Sequence, residues 1–163
     1  MPSRRCVLTA PLLALPALRA EAGVIDWING VKVGGTLPAH DAVWLNVRPP
    51  ASPRLTLVDF WATWCTPCVA AMPQLDERHQ RFAAQGVSVV GLSAEPVDPV
   101  KAFLAKHAVR FPIGAGGARP LQTTLGIRAL PYALLADASG KVLWRGQPQE
   151  LTDAMLSAHL SAG

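Results

Sequence analysis

The sequence predicts an α/β protein: a mixed central sheet with helices on both faces. Residues Leu55–Trp61 and 87–92 are nearly continuous apolar runs, as in strands buried on both sides. Between them lies a helical pattern, with Val69, Met72, Leu75, His79 and Phe82 on or near one face and Gly86 as its stop. Further on, strands over 132–136 and 141–145 flank the turn Asp137-Ala138-Ser139-Gly140, a hairpin signature, and another helical pattern follows. With 163 residues, 50% hydrophobic and 16% charged, the chain is one domain with a packed core and not a disordered segment.

Residues 1–22 read as an export leader. Met1 to Arg5 form a short basic head, Cys6 to Leu18 an apolar stretch, and Ala20-Glu21-Ala22 an A-x-A cleavage site. Pro11 and Pro16 break the apolar stretch, which is short for a bilayer span, so an uncleaved anchor is the weaker alternative. Ser3-Arg4-Arg5-Cys6-Val7-Leu8 resembles a twin-arginine signal; a general secretory leader remains the other reading. Setting aside Arg4, Arg5, Arg19 and Glu21 leaves 12 basic and 10 acidic residues, a net charge of +2 that is no nucleic-acid footprint. Cys6 would leave with the leader, and two cysteines remain. A disulfide-stapled scaffold is excluded on that count.

In chain order, residues 25–33 and 43–47 read as short strands, separated by Gly34-Gly35 and Pro38. The proline-rich connector Val47-Arg48-Pro49-Pro50-Ala51-Ser52-Pro53 leads to Leu55. In the helix after Cys65, Asp76, Glu77, Arg78 and Arg81 are expected mostly away from the apolar face, and Pro73 is expected to kink it. Asp98-Pro99 caps a helix carrying Val100, Phe103, Leu104 and His107 at i, i+3, i+4, i+7. A short strand is expected over 110–113 and a flexible loop over 114–117. The last helix is expected from about Glu150, with Leu151, Ala154, Met155 and Ala158 as its face.

The chemistry centres on Cys65-Thr66-Pro67-Cys68, placed where a strand gives way to a helix. Two cysteines at this spacing close into a small disulfide ring that another thiolate can open. The same spacing is half a zinc site, but zinc takes four ligands. Cys6 lies in the leader, and His40, His79, His107 and His159 form no second pair. Redox chemistry is therefore the reading, without cofactor or metal. The segment Asp59-Phe60-Trp61-Ala62-Thr63-Trp64-Cys65-Thr66-Pro67-Cys68 resembles the active-site segment of the thioredoxin superfamily. With a leader in front, its Trp-Cys-x-Pro-Cys form is most similar to the TlpA/ResA-like thiol-disulfide oxidoreductases. The likeness covers roughly residues 40–160 and implies a thioredoxin fold with extra N-terminal strands and a helix-strand insertion. The domain is expected over 23–163, with its core at about 54–160.

Cys65, at the helix N-terminus, is the expected exposed nucleophile, because N–H groups and helix dipole favour its thiolate there. Cys68, one turn in, is the buried resolving thiol. The resemblance makes Thr66 and Pro67 the tuners of redox potential and part of the substrate surface. Asp59 is an acid in an apolar strand, so desolvation should raise its pKa. It occupies the place of the thioredoxin acid that takes the resolving cysteine's proton. Two departures stand out. No lysine occurs in 87–92, where thioredoxins keep one, and Ala71 stands where ResA-like proteins carry glutamate. Glu95 is a second candidate for proton management. Pro131 is the candidate cis-proline, presenting the Leu130 backbone to an incoming peptide; a trans proline leading into an edge strand is the alternative. Trp64 is expected on the docking surface, Trp61 in the core, and Trp27, Trp44 and Trp144 in packing. No role falls to the histidines.

The function expected is that of an exported, periplasmic reductant of particular protein disulfides, of the cytochrome c maturation or copper-centre assembly type. It would be a monomer recharged by a membrane electron donor, with no nucleic-acid partner. A peroxiredoxin is rejected, since neither cysteine has threonine three or proline seven residues before it. The alternative from another class is a Cu(I) carrier holding metal between Cys65 and Cys68, though no methionine or histidine adjoins the motif.

Overall fold

The computed structural model of the chain describes residues 32–162. Its strands are β1 (Val43–Trp44), β2 (Leu55–Trp61), β3 (Val87–Ser93), β4 (Ile113–Ala115), β5 (Tyr132–Asp137) and β6 (Val142–Gly146). They form one mixed sheet in the order β1-β4-β3-β2-β5-β6. The helices are α1 (Thr66–Ala83), α2 (Val97–Leu104), α3 (Ala118–Thr124) and α4 (Asp153–Ala162), with a 3-10 turn at Pro148–Glu150. The leader, Cys6, Trp27 and most of the strand expected over 25–33 lie outside the described residues.

β2 is central because it is paired along both edges. It runs parallel to β3, from Leu55 beside Val87 to Trp61 beside Ser93, and antiparallel to β5, from Leu55 beside Asp137 to Phe60 beside Tyr132. Strand alternation puts Leu55, Leu57, Asp59 and Trp61 on one face, Val58 and Phe60 on the other. The first face packs on α1, α2 and α4 through Met72, Leu75, Phe82, Val100, Leu156 and Leu160. The second packs on α3 through Ala118, Leu121 and Leu125. Helices cover both faces, which is why β2 is apolar at nearly every position. Trp144 packs against the first core and Trp44 against the second.

Several elements depart from expectation. Val33, placed at a strand end, sits in a turn closed by Gly35 N–H to Lys32 C=O (3.0 Å), with Gly34 at φ +93°. The strand expected over 43–47 stops at Trp44. Asn46 turns its side chain into the sheet edge instead, donating to Val109 and Phe111 C=O (3.1 and 2.9 Å) and accepting from Ile113 N–H (2.9 Å). The next strand is shifted to Ile113–Ala115, so Gly114, expected in a flexible loop, is a strand residue. A Cβ at Gly114 would lie 3.0 Å from both Ala42 Cβ and Leu92 Cδ2, so glycine permits this close approach.

α2 begins at Val97, with Pro96 as its N-cap, and ends before His107, which is exposed and stacks on Phe103 with centroids 4.0 Å apart. α4 begins at Asp153 and not near Glu150: the Thr152 hydroxyl accepts from Met155 N–H (3.2 Å), as an N-cap does. Its buried face is Leu156 and Leu160, while Ala154 and Ala158 are exposed. α1 continues as one helix through Pro73 to Ala83. Asp76 and Arg78, expected away from its buried face, are themselves buried, because neighbouring elements flank α1 and supply counter-charges. Asp76 receives Arg110 Nε at 2.7 Å, and Arg78 Nε donates to Asp153 at 3.0 Å.

Candidate active site

Three chain segments converge at one end of the sheet. β2 and β3 end side by side at Trp61 and Ser93, and β5 starts at Tyr132 across from Phe60. Residues 62–65, 94–96 and 130–131 therefore share that end. The 62–65 segment is a turn closed by Cys65 N–H to Ala62 C=O (3.0 Å). Cys65 is the N-cap of α1, with extended backbone (φ −85°, ψ 91°), and its C=O accepts the first helical bond from Val69 N–H (3.0 Å). Pro67 lies in the first turn, where its missing N–H loses no bond.

One helical turn brings the cysteine Cα atoms to 5.2 Å, and Cys65 and Cys68 are joined by a disulfide (S–S 2.05 Å). Cys68 is 1% exposed, as expected. Cys65, expected to be exposed, is only 4% exposed. In this oxidised form its sulfur is tied back to Cys68, and both cysteines belong to the core cluster under α1, with Leu130 packed against it. The exposed residues around the pair are Thr66, Pro67 and Trp64, the last 72% exposed.

Asp59 shares the α1 face of β2 with Leu57 and Trp61. It is 1% exposed, and neither carboxylate oxygen meets a hydrogen-bond partner among the described residues. Burial alone pushes its pKa up to about 7. Its neighbours across the strands are Gly91 and Ala133, which offer no charge. Gly91 occupies the spot where a side chain from β3 could meet Asp59. A Cβ there would lie 2.7 Å from Ile113 Cδ1 and 3.1 Å from Trp61 Nε1, so no larger residue fits without rearrangement. Ala71, where ResA-like proteins have glutamate, is buried.

Glu95 is placed differently from Asp59. Its Oε2 accepts from Thr63 N–H (2.6 Å) and Ser93 Oγ–H (3.1 Å), and its Oε1 accepts from Thr63 Oγ1–H (2.6 Å). Sequence reading had no signal for this contact, which joins residues 32 apart through the ends of adjacent strands.

The Leu130–Pro131 peptide bond is cis. Beside Pro131 opens a cleft of about 350 Å³, edged by Arg128, Tyr132, Arg145 and Glu150. A larger cleft of about 450 Å³, between Arg54, Ser139 and Leu160, flanks the Leu55 end of β2 and so lies far from the cysteines. Among the described residues no group of three or more His, Cys, Asp or Glu side chains is placed to hold a metal ion.

The sequence profile of the Redoxin family matches residues 52–160. A thiol-disulfide oxidoreductase ResA from Bacillus thuringiensis (strain Al Hakam) is 33% identical over 87 residues, 53% of this chain and 50% of that protein. The chain thus spans about half the length of this relative. A ResA from Geobacillus thermodenitrificans is 30% identical over 146 residues, covering 85% of this chain and 82% of its own. Among solved structures, a thioredoxin-like protein in its oxidised form matches 81% of this chain and 99% of its own with a TM-score of 0.67; at 19% identity it speaks for the fold alone. The fold, the disulfide at the head of α1 and the two ResA sequences agree: the chain belongs to the Redoxin family, in the TlpA/ResA-like branch of the thioredoxin superfamily.

Proposed function

We propose that the protein is an exported thiol-disulfide oxidoreductase that reduces specific protein disulfides through Cys65 and Cys68. The observation that carries this reading is the Cys65–Cys68 disulfide at the N-cap of α1, with a buried acid on the α1 face of β2 that has no hydrogen-bond partner among the described residues. In the reduced protein the Cys65 thiolate, favoured by the helix N-terminus, attacks one sulfur of a substrate disulfide. A mixed disulfide forms and one substrate thiolate leaves. The Cys68 thiol then gives its proton to Asp59, and the Cys68 thiolate attacks Cys65 Sγ. The second substrate thiol is released, and two electrons have passed to the substrate. A dithiol donor at the membrane reverses the change in the protein.

Asp59 suits the proton step because a carboxyl titrating at about 7 is poised between acceptor and donor near neutral pH. The substrate would lie over Trp64, Thr66 and Pro67 and along Leu130 and Pro131. The reducing direction rests on the family resemblance and on the Thr66-Pro67 dipeptide, and a substrate of the cytochrome c maturation or copper-centre assembly type on the resemblance alone. The periplasmic location and a mature domain over 23–163 rest on the leader anatomy. Insulin reduction by dithiothreitol tests the activity: the wild type should accelerate it, and Cys65→Ser should not. A wild type that leaves the uncatalysed rate unchanged refutes the reading.

A further inference from the structure

We infer that Glu95 is the positioning residue for Cys65: its carboxylate locks the 62–65 turn and so holds the cysteine at the head of α1. This inference rests on Cys65 being the attacking thiol. β2 ends at Trp61, so the sheet ladder offers nothing to Thr63, whose N–H sits inside the turn. A half-buried N–H needs a partner. Glu95 supplies it from the neighbouring strand end, and its second oxygen takes the Thr63 hydroxyl, so both its oxygens grip one residue at 2.6 Å. Charge-assisted bonds of this length are the strong kind.

The clamp is itself anchored. Glu95 N–H donates to Ser93 Oγ (3.2 Å), the Ser93 hydroxyl donates back to Oε2 (3.1 Å), and Glu95 C=O accepts from Gly116 N–H (3.0 Å). Thr63 is two residues from Cys65, within the turn that the Cys65 N–H itself closes. If that turn loosens, Cys65 drifts from the N-cap geometry, and its thiolate loses the field of the helix N-terminus. The two acids near the disulfide therefore divide the work. Glu95 has both oxygens engaged by three donors, whereas Asp59 has neither engaged among the described residues.

The test is the rate at which iodoacetamide alkylates Cys65 in the reduced protein, read by mass spectrometry beside each variant's denaturant midpoint. Glu95→Ala should slow alkylation roughly tenfold, while Glu95→Gln should stay within about threefold of wild type, because its amide can still accept from Thr63 N–H and donate to Oγ1. Thr63→Ala should fall between them, and Glu95→Ala with Thr63→Ala should be no slower than Glu95→Ala alone. A merely structural role would lower the midpoint and leave the folded protein's rate unchanged. Wild-type rates in Glu95→Ala, or a Glu95→Gln as slow as Glu95→Ala, overturn the inference. Should Glu95→Ala fail to fold, Thr63→Ala decides, and its alkylation at the wild-type rate overturns it. Alkylation needs no protein substrate, so a wild type inert toward insulin would refute the proposed activity and leave this result readable.

Discussion

Burying a carboxyl in an apolar strand costs stability, and Asp59 is where the chain accepts that cost. Its pKa is raised by burial from 3.8 to about 7, so the fold favours the neutral acid. By linkage, the stability this group contributes is complete below pH 3.8 and is lost as pH rises, fully so above about 7. Asp59→Asn keeps the shape and removes the charge. It should stabilise the oxidised protein at pH 8 by about 1–3 kcal/mol, with little gain at pH 4. The same variant should release mixed disulfides more slowly, since Cys68 loses its proton acceptor. Denaturant melts at the two pH values, paired with insulin turnover, check both halves. An Asp59→Asn protein that is less stable at pH 8 and equally active would refute the role. The acid's strand position and its raised pKa were legible in the sequence, because an acid inside an apolar run stands out. The burial of Cys65 was not: a helix N-terminus suggests exposure, and the closed disulfide turns the sulfur inward.

At the scale of elements, the helices that cover β2 are held by charge as well as by apolar packing. Arg78 is buried on α1 and reaches Asp153 at the start of α4, which also pairs with Arg81. Among the described residues, Asp153→Ala leaves Arg78 with the Pro148 carbonyl at 3.5 Å and should cost about 2–4 kcal/mol in urea melts; Arg78→Met should cost less, because it removes the buried charge instead of orphaning it. Equal costs would contradict the pairing. The N-terminal segment has its own test. A Cβ on Gly117 would lie 2.3 Å from the Asp41 carbonyl carbon, so Gly117→Ala must displace the chain leading into β1 and should lower stability by about 1–3 kcal/mol. An unchanged midpoint would show that this segment does not dock there. Long, strongly patterned elements were readable in advance: β2, α1, β3 and the hairpin of β5 and β6 fall within a residue or two of expectation. Short ones were not. α3 was missed although Pro120 and the Leu121/Leu125 spacing hint at it, and β4 slid by three residues because long-range bonds from Asn46 and the tight fit at Gly114 place it. Local propensity carries no trace of the Asn46 bonds or of the fit at Gly114.

For the whole molecule, the proposed export rests on the leader reading and is tested on exported material by intact mass, which should correspond to a chain beginning near Gly23. Arg4 and Arg5 replaced by lysine should stop export if the twin-arginine reading holds and leave it nearly unchanged if the leader is general secretory. A full-length cytoplasmic product would count against both. Among the described residues no helix is long and apolar enough to cross a membrane. The family assignment was accessible from one ten-residue segment, because its spacing is dictated by chemistry: a strand end, a turn and a helix start must put two sulfurs within bonding reach. The substrate is not encoded so compactly, since the proposed docking would draw on Trp64, the Pro131 cleft and a partner surface together. The most direct measurement is trapping with reduced Cys68→Ala, incubated with oxidised insulin and resolved by mass spectrometry without reductant. Attack by Cys65 without a resolving thiol predicts a lasting mixed disulfide mapped to Cys65, absent in Cys65→Ser. No adduct on Cys68→Ala, or wild-type insulin reduction by Cys65→Ser, would contradict a Cys65-led exchange.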